Sequence, residues 1–190
     1  MSSSRRAALG LAGGLLLTAA ACYQPAPGSP PPPKHVVEGS LGQVMSMGYD
    51  EARLMVTWQD VSLLFVRILP LASLPDAGGK EVGTLENYPL KLTYSLVDGG
   101  VPEKVRVDLT ELGGDGRQRG LFSRDVQDDP RKALPPLARG ELYIDGTVAP
   151  DQNGVFHDVQ GDFHGTFIDG IEPASGHTVF GTFDAKVVVP

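Results

Sequence analysis

The 190-residue chain has one cysteine, one tryptophan and only 7% aromatic residues. A single thiol cannot close an intramolecular disulfide, so nothing covalent staples the fold. Long apolar runs are missing as well. The longest, residues 7–21, has fifteen uncharged residues, short of the roughly 20 that carry a helix across a bilayer core. Cations are the minority, 16 Lys and Arg against 23 Asp and Glu, for a net charge of −7. With no basic cluster interleaved with aromatics, this composition argues against nucleic-acid binding. No G-x-S-x-G elbow and no G-x-x-x-x-G-K-[ST] loop occurs, and "GGDGRQRG" (113–120) lacks the dinucleotide-binding spacing and follows no βα unit. The 23 acids supply too many pairs to single out a carboxylate dyad.

What is present begins with "MSSSRRAALGLAGGLLLTAAAC". Arg5 and Arg6 form a positive start, residues 7–21 an apolar stretch, and Ala19, Ala20 and Ala21 a small-residue end before Cys22. This is the three-part layout of an export signal. The stretch "LLLTAAAC" resembles the lipobox of bacterial lipoproteins, with Ala19 where that family most often carries Leu. The resemblance covers the leader alone. It implies a diacylglycerol on the Cys22 sulfur, cleavage just before it, and no thiol left for nucleophilic chemistry. In that family Asp after the cysteine favours inner-membrane retention; Tyr23 therefore implies the outer membrane. "SRRAAL" is also similar to part of a twin-arginine signal, without its Phe-Leu-Lys portion, so the export route stays open. The closing "GTFDAKVVV" resembles the last strand of uncharacterised bacterial lipoprotein β domains, which assigns no function.

The expected organisation is a signal at 1–21, an anchor and tether at 22–34, and one domain at 35–190. Pro30 to Pro33 favour an extended polyproline II spacer rather than a ligand for a groove. Removing the leader takes away Arg5 and Arg6 and leaves 14 cations against 23 acids, a net −9. The covalent lipid must then supply membrane attachment.

Period-two alternation dominates the domain. In "LKLTYSLV" (90–97) Leu90, Leu92, Tyr94 and Leu96 share one face, with Lys91, Thr93 and Ser95 opposite. "DGG" (98–100) reads as a hairpin turn into "KVRVDLTEL" (104–112). Asn153-Gly154 is a second turn signal, between strands at 140–148 and 155–167. "RLMVTWQDVSLLFVRIL" (53–69) reads as one strand buried on both faces, with Trp58 in the core. Residues 111–140 are rich in breakers and read as surface loops. The predicted class is all-β, an antiparallel β-sandwich of about seven to nine strands, with a β-barrel as the alternative.

The candidate site lies in two similar segments, "DFHGTF" (162–167) and "VFGTFD" (179–184). Paired antiparallel so that residue numbers sum to 348, Gly165 faces Phe183 and Phe167 faces Gly181, each glycine covered by a ring. His164 then meets Asp184, and Asp162 meets Lys186. Asp162, His164 and Asp184 are the candidate ion or ligand residues; ion pairs built for packing are the competing explanation. His157 reads as a partly buried histidine on the core side, and His177 falls in the turn. "DQNG" (151–154) begins like a calcium loop but lacks its continuation, and "DVQDD" (125–129) reads as a solvated acidic loop. No metal, cofactor or catalytic residue is assigned. The leading expectation is a non-enzymatic, lipid-anchored component of an outer-membrane or periplasmic assembly with protein partners. The alternative is a ligand- or divalent-ion-binding β module, and a hydrolase of unstated substrate comes third.

Overall fold

The computed structural model describes residues 30–70, 84–96 and 105–189. Cys22, Tyr23 and the Asp98-Gly99-Gly100 turn lie outside the described residues. Ten strands are present: β1 His35–Val36, β2 Gly48–Tyr49, β3 Glu51–Val56, β4 Asp60–Pro70, β5 Thr84–Ser95, β6 Val105–Asp108, β7 Gly120–Ser123, β8 Leu137–Asp145, β9 Val159–Phe167 and β10 Thr178–Val188. The first two form a small ribbon. The other eight make one sheet in the order β6-β8-β9-β10-β3-β4-β5-β7, antiparallel throughout except for the parallel β10–β3 pair.

The class is all-β, and the sheet curls until it is nearly closed into a barrel. Its two ends meet through the segment that follows β6. The Leu109 amide donates to the Gly140 carbonyl on β8, while Gly120 at the start of β7 donates to the Leu109 carbonyl at 2.9 Å. Arg119 then donates to Glu111 at 2.7 Å. Gly120 is required here because a Cβ would sit 2.5 Å from Leu109 Cβ and 2.6 Å from its carbonyl oxygen.

Curling brings the inward faces of distant strands together. Ring centroids of Tyr49 and Phe65 lie 4.9 Å apart, Phe65 and Phe163 5.4 Å, Phe163 and Phe122 6.2 Å, and Phe122 and Phe167 5.6 Å. Phe122 on β7 and Phe163 on β9 belong to strands far apart in sheet order, so their contact spans the interior. Such pairs add about 0.5–1.5 kcal/mol each beyond area burial. Leu54, Leu63, Leu90, Leu92, Leu142 and Ile144 fill the space around them, all fully buried.

Several expectations change. Residues 53–69 are a hairpin, β3–β4, rather than one strand. Thr57 makes the turn, its hydroxyl accepting from the Gln59 and Asp60 amides. Trp58 stands on that turn at 74% exposure, outside the core. β4 itself is buried on both faces over Val61–Arg67, as its apolar run implies. β5 and β6 do not pair with each other, since β7 takes the free edge of β5 and β6 joins β8. β7 was hidden in the breaker-rich stretch because it spans only four residues.

Lys91 and Thr93 point out of the barrel as expected, yet both are buried, because the loop after β7 folds over them. Asp128, in the left-handed region at φ 53°, accepts from Lys91 Nζ at 2.9 Å, Thr93 Oγ1 at 3.1 Å and Ser123 Oγ at 2.7 Å. Lys91 also donates to the Val126 carbonyl at 2.7 Å. The acidic loop is therefore a set of ion pairs, Asp125 with Lys132 and Asp129 with Arg131 completing it.

Two stability predictions follow from these junctions. Gly120→Val should cost about 3 kcal/mol in urea unfolding, since the new side chain meets backbone that cannot yield. Asp128→Ala should cost about 3 kcal/mol by leaving the Lys91 ammonium buried without its carboxylate. Adding Lys91→Met should recover at least about 1 kcal/mol of that loss in a double-mutant cycle.

Candidate functional site

The outward face of β8, β9, β10 and β3 forms a cleft of about 820 Å³. Register decides which side chains reach it. β9 and β10 pair with residue numbers summing to 344, so Thr166 faces Thr178, Gly181 faces Phe163 and Phe183 faces Gly161. The predicted register of 348 is thus shifted by four. Parity is unchanged, and the two faces stay as read. The ring-over-glycine device also survives on different residues. A Cβ at Gly161 would lie 2.1 Å from the Tyr143 carbonyl and 2.5 Å from the Phe183 ring. In the observed register the ladder runs from Thr178 opposite Thr166 to Ala185 opposite Val159, and Phe167 packs on Phe122.

The shift dissolves the predicted ion pairs. Asp184 lies opposite Gln160, and Asp162 opposite Thr182. His164 lies opposite Phe180 on one side and Glu141 on the other. Asp162 and Asp184 enter the same cleft, while His164 is not among its lining residues. The other histidines are dispersed. His157 is exposed, before β9 begins, and its Nε2 lies 3.3 Å from Asp151 Oδ2; it is not on the core side. Asp151 uses its other oxygen to accept from the Asn153 and Val155 amides at 2.8 and 2.9 Å, so "DQNG" is a turn. These two amides, with His157 beyond them, hold the Asp151 carboxyl below the usual carboxylate range.

His177 Nδ1 lies 3.2 Å from Ser40 Oγ, a serine–histidine contact bridging the chain's two ends. The same oxygen accepts from the Thr178 amide at 2.9 Å and lies 3.3 Å from Thr178 Oγ1. Ser40 is thereby engaged as a staple that ties the N-terminal segment to β10.

The cleft owes its charge to residues the sequence did not single out. Glu51, Asp145 and Asp158 join Asp50, Asp162 and Asp184 along its lining, with Tyr143, His35 and Lys186. Glu51 and Asp50 have cation partners, and Asp145 is engaged as well. Glu51 pairs with Arg53, which also grips Glu86 through two nitrogens at 2.7 and 3.1 Å. Glu86 foremost pushes the Arg53 guanidinium further up, so it stays charged. Asp50 is buried against Arg67 Nη1 at 2.5 Å and accepts from the Ile68 amide at 2.8 Å and the Lys34 amide at 3.3 Å. Asp158, Asp162 and Asp184 have no ion-pair partner among the described residues. Cross-strand alternation could have located them, since Asp162 and Asp184 share the even-numbered face in either register.

Among the described residues no group of three or more His, Cys, Asp or Glu is placed to hold one metal ion. The carboxylates line the cleft without converging on one point. No described helix is long and apolar enough to cross a membrane. Comparison with family models, curated proteins and solved structures finds no match to this chain.

Asp50 also sets an acid response. Burial by itself raises its pKa, but the Ile68 amide, the Arg67 guanidinium and the Lys34 amide outweigh burial and leave it lowered. A carboxyl depressed in the folded state adds stability that is fully present above its unfolded pKa, about 4. That contribution is lost as pH falls through the folded value. Stability should therefore hold level from pH 7 to about 5 and decline below about 4. Asp50→Asn should flatten the acid limb and cost about 3 kcal/mol at pH 7, measured by urea unfolding across pH.

Proposed function

We propose that this chain is a lipid-anchored cell-envelope protein, held at the outer membrane by a diacylglycerol on Cys22. Its barrel is a non-enzymatic interaction module that takes a Lys- and Arg-bearing segment of an envelope protein in the acidic cleft. The observation that carries the interaction reading is the trio Asp158, Asp162 and Asp184, which line one cleft without ion-pair partners among the described residues. Glu86, Asp125 and Asp129 are matched by cations, and other carboxylates without ion pairs among the described residues, such as Glu38 and Glu172, do not line this cleft. An unmatched row in a concave surface is a complementary field for a cationic partner, where it steers association more than it deepens affinity. The anchor reading is supported by the basic start, apolar stretch, small residues and lone cysteine of the leader.

Two measurements test this. Cys22→Ala should move the protein from the membrane to the soluble envelope fraction; unchanged fractionation removes the anchor. For the cleft, a photo-crosslinker at Thr182 should give adducts that fall at least tenfold when Asp158, Asp162 and Asp184 are reversed to Lys. Those adducts should weaken with added salt. Adducts indifferent to both changes count against a cationic partner.

A further inference from the structure

The end of the proline-rich segment is not a free spacer. Arg67 Nη2 donates to the Pro31 carbonyl, and the Lys34 amide donates to Asp50. The Pro33 ring sits where a Cβ on Gly48 would be, 2.6 Å from that position. Pro30 to Pro33 thus lie in a groove of about 370 Å³ whose other walls include Asn87, Pro89 and Arg124. Asn87 and Arg124 are shared with a neighbouring groove of about 380 Å³, lined also by Tyr88, Arg131 and Lys132.

These grooves lie on β4, β5 and the loop after β7, the last three places in the sheet order, whereas the acidic cleft lies on the second to fifth. The cleft and the proline groove adjoin where Asp50 meets Arg67, while the basic groove lies further round, on β5 and the loop after β7. Between Cys22 and Pro30 are eight peptide steps, which span at most about 28 Å even when fully extended.

We infer that the side formed by β4, β5 and β7 lies against the membrane, and that the groove of Arg124, Arg131 and Lys132 takes the phosphates of anionic lipid headgroups. The orientation rests on the anchor proposed above. A net charge of −9 without the leader opposes contact with an anionic surface in general, so contact must use a groove with a cationic lining, and the charged residues lining this one are Arg124, Arg131 and Lys132. Arg124 has no carboxylate partner among the described residues. Arg131 and Lys132 have side chains 88% and 55% exposed, and their pairs with Asp129 and Asp125 are of the solvent-screened kind that exchanges readily for another anion. Planar guanidinium groups match phosphate oxygens two at a time. The unmatched carboxylates of β9 and β10, further round the barrel, are then left open to a partner.

The lone thiol and lone tryptophan make this measurable. Residues 22–190 include every described residue, and Cys22 can be coupled to a maleimide phospholipid in vesicles, which fixes the attachment point whether or not cells acylate it. Trp58, on the β3–β4 turn away from the grooves, reports one location. Trp58→Phe with Tyr88→Trp reports the basic groove, and Trp58→Phe with Asn87→Trp gives a second groove reporter should the Tyr88 change disturb the sheet. Brominated lipid should quench the groove reporter at least threefold more than Trp58. Replacing phosphatidylcholine by phosphatidylglycerol should widen that difference, and Arg124→Glu with Lys132→Glu should cancel the widening. Equal quenching, or stronger quenching of Trp58, overturns the orientation; indifference to phosphatidylglycerol overturns the headgroup contact. Cys22→Ala fractionation judges the anchor separately, so the two failures are distinguishable.

Discussion

Closure of the sheet is the constraint on which the rest of the structure depends. A flat eight-stranded sheet would leave β6 and β7, four residues each, as exposed edges inviting further strand pairing. Curling joins them through Leu109, Glu111, Arg119 and Gly120. It also places Phe122 within ring contact of Phe163 and Phe167. The aromatic row and the edge junction are therefore coupled. Neither the rings nor the backbone bonds of the junction can form fully without the other, and a small glycine at position 120 is what lets the backbones approach.

Closure also makes an outside, and the protein covers part of it. Polar residues on the outer side of β4 and β5 would ordinarily stand in water. Here Ser62, Lys91 and Thr93 are sealed beneath the loop after β7, and the loop meets the desolvation cost with the Asp128 carboxylate and the Val126 carbonyl. Beside it, Arg67 and Asp50 bury an ion pair that binds the proline segment to the barrel. Both arrangements place charge where apolar contact would serve stability alone. Their effect is to fix the loop cations and the chain's entry point relative to one another.

The parts of this fold that were legible in the sequence are those governed by local period. Alternation identified the class, the inner faces of β5, β9 and β10, and the two-sided burial of β4. Parity arguments held even where register did not, because a shift of four in the summed residue numbers keeps each side chain on its own face. What escaped were features set by distant contacts. The Thr57 turn carries no Gly or Pro, so the β3–β4 hairpin read as one strand and Trp58 was assigned to the core. Four-residue β7 exists because β5 and Leu109 flank it, not through a pattern of its own. The predicted triplet of Asp162, His164 and Asp184 lost its histidine to register. The acids that joined the cleft, Glu51, Asp145 and Asp158, come from other strands or lie ahead of β9, and the pairing of β8 with β9 and of β10 with β3 brings them together.

The separation of charge around the barrel connects these observations. Spreading carboxylates evenly would minimise self-repulsion in a chain this acidic. Near the proline segment and around Arg53 carboxylates are matched by cations, whereas Asp158, Asp162 and Asp184 share one cleft without ion pairs among the described residues. Packing does not require Asp158, Asp162 and Asp184 to share a cleft, since the interior contacts of β9 and β10 are made by odd-numbered residues on the opposite face. The proposed partner would use a surface arrangement that the fold itself does not need. The proposed partner surface and the proposed lipid contact then use different parts of one barrel wall, the unmatched acids of β9 and β10 and the basic groove of β5 and the loop after β7.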